Sequence, residues 1–312
     1  MTHETITADA AGTWRLGDLP VNRLGFGAMR LTGSAAFHLG APSDRERSMS
    51  VLRRAVELGV NHIDTAAFYF SSLRSANEII NSALGPYPDD LVIVTKVGPF
   101  RGYDGEWGTS ARPDQLRAHV EENLRQLGRD HLDVVYLRRM RQDSVAEHFG
   151  ALAELREAGL IRHLGISAVE PRHLTEALAI APVVCVQNRY ALDRPDPADD
   201  EMLRICGERG IAFVPFYSVA RDGAERGAVE RHDAAVLDVA RAHGATPAQV
   251  RIAWTLAQGP HVLAIPGTGD PGHLVENVAA GALRLTARET ALLDATHTTA
   301  DRGRLPLRGA VG

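Results

Sequence analysis

One lysine stands alone in this chain. Of the 34 basic residues, 33 are arginines and the last is Lys96. Arginine serves wherever a plain positive charge is wanted, so a surviving lysine points to a place that needs a compact ammonium with a movable pKa. Codon bias with one lysine left over is the alternative, and composition does not separate the two. Lys96 closes one apolar run, 91–96, and Asp64 stands near the end of another, 61–65. An unpaired charge at the end of a buried run is costly, so the two are expected to pair. Tyr69 follows Asp64 by five residues. A phenol beside an ammonium should have a lowered pKa. A buried Asp–Lys–Tyr cluster would be a proton-donor set. A structural ion pair closing the end of the fold is the other reading of Asp64 and Lys96, since such pairs also perturb pKa values.

Other polar groups stand at the ends of apolar runs. Arg138 ends one, Ser167 another, and Gln187 with Asn188 a third. Gly267-Thr-Gly-Asp-Pro-Gly272 spells G-x-G-x-x-G after a candidate strand. It does not suit a dinucleotide fingerprint, because no second strand follows to complete a βαβ unit. As an anion site it suits well, since a helix starting near Pro271 would offer free N–H groups and a positive dipole end. Asp270 would repel a phosphate if it pointed inward. Arg138, Arg139 and Arg141 are either a solvated face or a site for an anionic substrate. Phe37, Phe68, Phe70, Trp107 and Tyr217 are either an aromatic pocket or loop packing. No H-E-x-x-H or paired-cysteine spacing occurs, so no metal is expected. A G-x-S-x-G elbow is also absent.

Eight short apolar runs must position these groups: 24–28, 61–65, 91–96, 132–137, 161–166, 183–187, 211–216 and 261–265. Such continuous runs are what strands buried on both faces look like. Helical patterns lie between them, among them 46–58 ending at Gly59, 113–127 ending at Gly128 and 144–158 ending at Gly159. Eight strand–helix units in order predict an α/β fold, a (β/α)8 TIM barrel, with its site at the C-terminal ends of the strands. A doubly wound sheet is the runner-up. Residues 13–21 predict a β-hairpin around Gly17-Asp18 that caps the barrel bottom. Segments 98–112 and 217–232 read as insertions, and 298–312 as a loosely ordered tail. The whole of 1–312 is expected to be one barrel domain.

Composition narrows the function classes. With 34 basic and 39 acidic residues the formal charge is −5, which disfavours nucleic acid as the main partner. An apolar fraction of 45% excludes overall disorder. The most apolar stretch, 178–186, is short and holds Pro182, far from the roughly 20 residues of a membrane span. Two cysteines, Cys185 and Cys206, make no disulfide framework, and the N-terminus has no signal-peptide pattern, so a reducing, cytoplasmic location is expected.

The motifs together resemble a known family. Gly59-Val-Asn-His-Ile-Asp-Thr-Ala66 with Tyr69, then Leu91-Val-Ile-Val-Thr-Lys-Val-Gly98, are similar to the aldo-keto reductase signature. So are Gly165-Ile-Ser167, Val186-Gln-Asn-Arg-Tyr190 and Ile265-Pro-Gly-Thr268 followed by Glu276-Asn277, all in family order. The resemblance runs from about residue 14 to 297. It implies an NADPH-dependent (β/α)8 reductase of aldehydes and ketones, with NADH a weaker cofactor and a small carbonyl compound as substrate. On that resemblance Tyr69 is the general acid, Lys96 tunes it and Asp64 holds Lys96. Cofactor contacts are implied for Gly27, Ala28, Met29, Asp64, Ser167, Gln187, Phe216, Tyr217, Ser218 and Arg221. They are also implied for Ile265, Gly267, Thr268, Gly269, His273, Glu276 and Asn277, with Phe216 stacked on the nicotinamide. Substrate contacts are expected from Phe37, Phe68, Phe70, Trp107 and Arg139.

Three departures stand out. The family's usual histidine after strand four is Arg138 here, as in a bacterial subgroup that includes pyridoxal reductases. Arginine cannot shuttle a proton, but it can stabilise a developing oxyanion. Ala168 stands where Asn usually follows the serine, and Phe70 where Gly usually follows the tyrosine. Two further alternatives stay open: a non-catalytic nucleotide-binding regulatory or sensor subunit on this fold, and a biosynthetic ketoreductase for a sugar or polyketide carbonyl.

Overall fold

A computed structural model describes residues 6–33, 41–102, 104–193, 196–216 and 233–300. Strands β1 (Thr13–Leu16) and β2 (Leu19–Asn22) form the expected antiparallel hairpin. The barrel staves are β3 (Phe26–Gly27), β4 (His62–Asp64), β5 (Val92–Val97), β8 (Leu132–Arg138), β9 (Ile161–Ser167), β10 (Val183–Gln187) and β11 (Ala212–Phe213), all parallel neighbours. The eighth stave, 261–265, forms bridges instead of a ladder. Ala264 pairs with Leu24 and Val262 with Phe213, so this segment joins the first stave to the seventh and closes the ring. Gly25 N–H donates to the Ala264 carbonyl and Leu263 N–H to the Phe213 carbonyl, at 2.8 and 2.9 Å.

The first and seventh staves are shorter than the runs that announced them. Apolar continuity marks what is buried, whereas a ladder also needs aligned partners on a strongly twisted sheet.

Helices follow the staves: α1 (Arg45–Glu57), α2 (Ala76–Leu84), α3 (Leu116–Leu127), α4 (Ala146–Glu157), α5 (Pro171–Leu178), α6 (Pro197–Arg209), α7 (Ala234–His243), α8 (Pro247–Ala257), α9 (Pro271–Ala279) and α10 (Ala287–Ala300). Their starts follow capping chemistry. Asp44 accepts from the Arg47 N–H at the head of α1, and Thr246 with Gln249 makes a reciprocal box on α8. The predicted exits hold, with α3 ending at Gly128 in the left-handed conformation. Helix α10 carries 298–300 into regular structure, so that part of the expected loose tail is helical. The rest of the tail and the 217–232 insertion lie outside the described residues.

The insertion after β5 is a second hairpin, β6 (Pro99–Arg101) with β7 (Trp107–Ser110). Two apolar layers hold the fold. One lies between staves and helices. The other fills the barrel: Leu16 and Val21 of the first hairpin pack under Val92, Val94, Val134, Tyr136, Cys185 and Leu263. The hairpin is therefore the floor of the barrel, and the mouth is the opposite end.

Candidate active site

Parallel register sets the polar residues at the mouth side by side. Lys96 lies level with Tyr136, Arg138 with Ser167, and Ser167 with Gln187. Asp64 and Lys96 pair as their placement predicts. Lys96 Nζ donates to Asp64 Oδ1 at 2.6 Å and to the Thr65 carbonyl at 3.0 Å, and both side chains are over nine-tenths buried. The other Asp64 oxygen accepts from Gln187 Nε2 at 2.7 Å. The carboxylate is thus held on both sides, the condition under which a buried charge is tolerable. Burial pulls the Lys96 pKa down, Asp64 pushes it back up, and Arg138 lowers it.

The Lys96 ammonium sits 4.9 Å from the centre of the Tyr69 ring. The expected fall in the Tyr69 pKa is not found. The ring is buried, and burial drives the phenol well above its ordinary value, with Asp64 adding and Arg138 opposing. Desolvation outweighs the neighbouring charge. A phenol in this state keeps its proton at neutral pH and has it to give.

Arg138 stands at the mouth, half-buried. Its Nη1 donates to the Arg139 carbonyl at 2.7 Å, and its guanidinium lies 5.8 Å from the centre of the Phe216 ring. Arg139 is turned to other work. It donates to the Gln142 carbonyl at 2.7 Å and pairs with Glu170 at 3.4 Å, bracing the loop after β8 instead of facing a substrate. Phe68 is buried edge-on to Tyr69, and the exposed Trp107 ring lies 5.5 Å from Phe68. Phe70 is half-buried beneath the Arg101 guanidinium. Phe37, Tyr217, Ser218 and Arg221 lie outside the described residues.

One feature fits a nicotinamide nucleotide. The Ser167 hydroxyl is wholly buried beside Gln187 and finds no hydrogen-bond partner among the described residues, so a polar group is free to serve a ligand there. Across the mouth, Gly27 and the 265–267 segment pack backbone to backbone: a Cβ on Gly267 would meet the Gly27 carbonyl oxygen at 2.3 Å, and one on Gly27 the Ile265 carbonyl oxygen at 2.6 Å. Ala28 and Thr268 are buried beside them, while Met29 and Gly269 are part-buried. Asn277 is buried on α9, and His273 and Glu276 are exposed there. Ala168 takes a left-handed conformation, φ 56°, a position that suits Asn or Gly better than Ala.

The head of α9 corrects one expectation. Its N–H groups are not all open, because Asp270 Oδ1 accepts from Gly272 and His273 at 2.8 and 3.1 Å. The other Asp270 oxygen pairs with Arg47 of α1. The carboxylate points at the helix end, and Asp270 acts there as the helix cap.

A support network behind the site is unannounced by any motif. Thr65 and Thr95, each next to a charged residue of the pair, bond to Asn77 and Asn123 at 2.7 and 2.6 Å, and Asn77 bonds to Asn123 at 3.0 Å. The one signal was an asparagine on an otherwise apolar helix face.

The comparisons with known proteins agree with this geometry. The chain matches the Aldo/keto reductase family over residues 23–297. It belongs to that family. The chain is an oxidoreductase of the carbonyl-reducing class, built as the family's (β/α)8 barrel. It is 44% identical over 292 residues to pyridoxine 4-dehydrogenase of Escherichia coli, covering 91% of this chain and 98% of that one. Among solved structures, a thermostable aldo-keto reductase bound to the inhibitor epalrestat superposes with a TM-score of 0.77 at 30% identity, covering 91% of this chain and 99% of that chain. An aldo-keto reductase from Klebsiella pneumoniae in complex with NADPH gives 0.76 at 27%, covering 91% and 94%. Among the described residues of this family member, no helix is long and apolar enough to cross a membrane.

Proposed function

We propose that this chain is an NADPH-dependent reductase of an aromatic aldehyde of the pyridoxal type, with Tyr69 as the proton donor. The observation that carries the reading is the buried Asp64–Lys96 pair set against a buried, protonated Tyr69. When bound, the nicotinamide supplies hydride to the carbonyl carbon. Ser167 and Gln187 would hold its carboxamide, and Gly27, Gly267 and Thr268 would line the phosphate path. Phe216 would lie against the nicotinamide ring. Tyr69 gives its phenolic proton to the substrate oxygen. Lys96, locked by Asp64 and the Thr65 carbonyl, keeps a positive charge beside the phenol as it ionises. Arg138 offers a second, permanent positive charge to the oxygen. That charge also suits the phenolate next to the aldehyde in pyridoxal, which a neutral histidine would serve less well. Phe68 and Trp107 supply aromatic edges for a flat ring.

Asp270 modulates cofactor choice. A 2′-phosphate at the head of α9 must share it with this carboxylate, so NADPH is favoured over NADH only modestly. Buried free cysteines suit a reducing, cytoplasmic setting. The test is NADPH oxidation against a carbonyl panel that includes pyridoxal, run beside Tyr69→Phe. Turnover of pyridoxal by the native chain, lost in Tyr69→Phe by roughly a hundred- to ten-thousandfold, is expected. NADPH binding without turnover of any carbonyl would overturn the reading in favour of a sensor.

A further inference from the structure

The β6–β7 hairpin stands on Gly98, whose φ of +120° and close approach to the Arg138 carbonyl exclude a side chain. Its base is tied by the Ala111 N–H, which donates to the Gly98 carbonyl at 2.7 Å. In the hairpin ladder Arg101 stands opposite Trp107, and both reach the loop that carries Tyr69. Arg101 Nη1 donates to the carbonyl oxygens of Phe68 and Phe70, at 3.1 and 2.7 Å, so it holds the residues on either side of Tyr69. Its Nε donates to the Gly105 carbonyl in the hairpin's own turn, at 3.1 Å. The guanidinium lies 4.5 Å from the centre of the Phe70 ring. Trp107 completes the grip through Phe68, whose ring meets Tyr69 edge-on at 5.3 Å.

Half-buried carbonyls need donors, and no main-chain N–H among the described residues reaches these two. A charged donor makes a bond roughly twice as strong as a neutral one, and arginine's planar fork can span a loop and a turn at once where an ammonium cannot. An aromatic face under the guanidinium adds a cation–π contact. That gives a physical reason for a bulky ring directly after Tyr69.

We propose that Arg101 is a positioning residue. Through the two carbonyls that flank Tyr69 it sets the phenol in its donating pose, and Phe70 steadies the guanidinium that does so. This rests on Tyr69 being the donor, and the experiment separates the two claims.

Arg101→Ala, the milder Arg101→Gln, Phe70→Gly and the Arg101→Ala/Phe70→Gly pair are compared with the native chain and with Tyr69→Phe. Each is measured for single-turnover NADPH oxidation, solvent deuterium isotope effect, NADPH dissociation constant and melting temperature. Small displacements of a reacting group cost up to about a hundredfold. Arg101→Ala is expected to lose roughly that factor in rate, with a raised solvent isotope effect and NADPH binding within a few-fold of native. Arg101→Gln keeps one donor and should fall between. Phe70→Gly should slow the native chain but add nothing to Arg101→Ala. If Arg101→Gln melts lower yet keeps the native rate and isotope effect, or if the Arg101 and Phe70 effects simply add, Arg101 is only a brace and the proposal fails. Should Tyr69→Phe keep full turnover, the donor assignment falls instead, and the positioning claim with it.

Discussion

Two charged clusters mark the two ends of the barrel. At the mouth, Asp64 and Lys96 pair at 2.6 Å with almost no exposure. At the floor, the exposed Asp18 in the turn of the first hairpin takes the exposed Arg162 at 2.5 Å and the part-buried His163 at 2.6 Å. Both anions are well satisfied, and hydrogen bonds from Arg162 and His163 hold the Asp18 carboxyl far below the usual carboxylate range. What differs is replaceability. The floor cluster lies in water, where charges are screened and arginine, lysine or nothing would serve. In the mouth cluster each partner is committed to a second role, Asp64 to Gln187 and Lys96 to the Thr65 carbonyl.

The largest effect expected of this contrast is at Lys96. Lys96→Met leaves a carboxylate buried without its cation, a loss of about 3–5 kcal/mol in stability, and turnover should nearly vanish. Lys96→Arg should keep charge yet still fail, since a guanidinium is larger and planar. Near-native turnover in Lys96→Arg, measured beside its melting curve, would make the mouth as replaceable as the floor.

Next is Arg138. Arg138→Ala should slow turnover roughly a hundred- to thousandfold, the range for one lost oxyanion donor. Arg138 is the charge that lowers the Tyr69 pKa. Without it that pKa rises further, so the alkaline limb of turnover, where the phenol loses its proton, should move to higher pH. Turnover and limb both unchanged, with a lowered melting temperature, would reduce Arg138 to a structural residue.

Between the two ends lies His62, buried on β4, where burial pushes its pKa down to about 4. The unfolded chain titrates near 6.5. Between those values the unfolded state binds the extra proton, so stability is whole above about pH 6.5 and falls as pH drops toward 4. The loss is on the order of 3 kcal/mol. Urea midpoints at pH 7.5 and 4.5 should converge in His62→Leu relative to the native chain. An unchanged gap between the two pH values would show that the acid sensitivity lies elsewhere. The smallest effect is at the floor: Asp18→Asn should shift melting slightly, less so in high salt, and leave turnover alone.

The mouth was more legible in sequence than the grip on it. Charges at the ends of apolar runs announced the Asp64–Lys96 pair, because strand ends and costly burial are both local facts. Arg101 looked like one arginine among 33. Its role depends on a hairpin folding back onto a loop some thirty residues earlier, and no spacing encodes that. The Tyr69 pKa is illegible for a similar reason: the sequence places an ammonium nearby but does not say how deeply the ring is buried. From sequence Asp270 is a charge that would repel a phosphate; its capping of α9 and its pairing with Arg47 depend on α1 and α9 lying side by side.

The solitary lysine has one more consequence. With Lys96 sealed inside the barrel, the folded surface carries no ε-amino group, and guanidinium is its permanent side-chain cation. Amine-directed acylating reagents should find only the chain's α-amine until the barrel opens. The rate at which Lys96 becomes labelled is then a single-residue clock for opening of the mouth, readable by mass on the unaltered protein, and bound nucleotide should slow it.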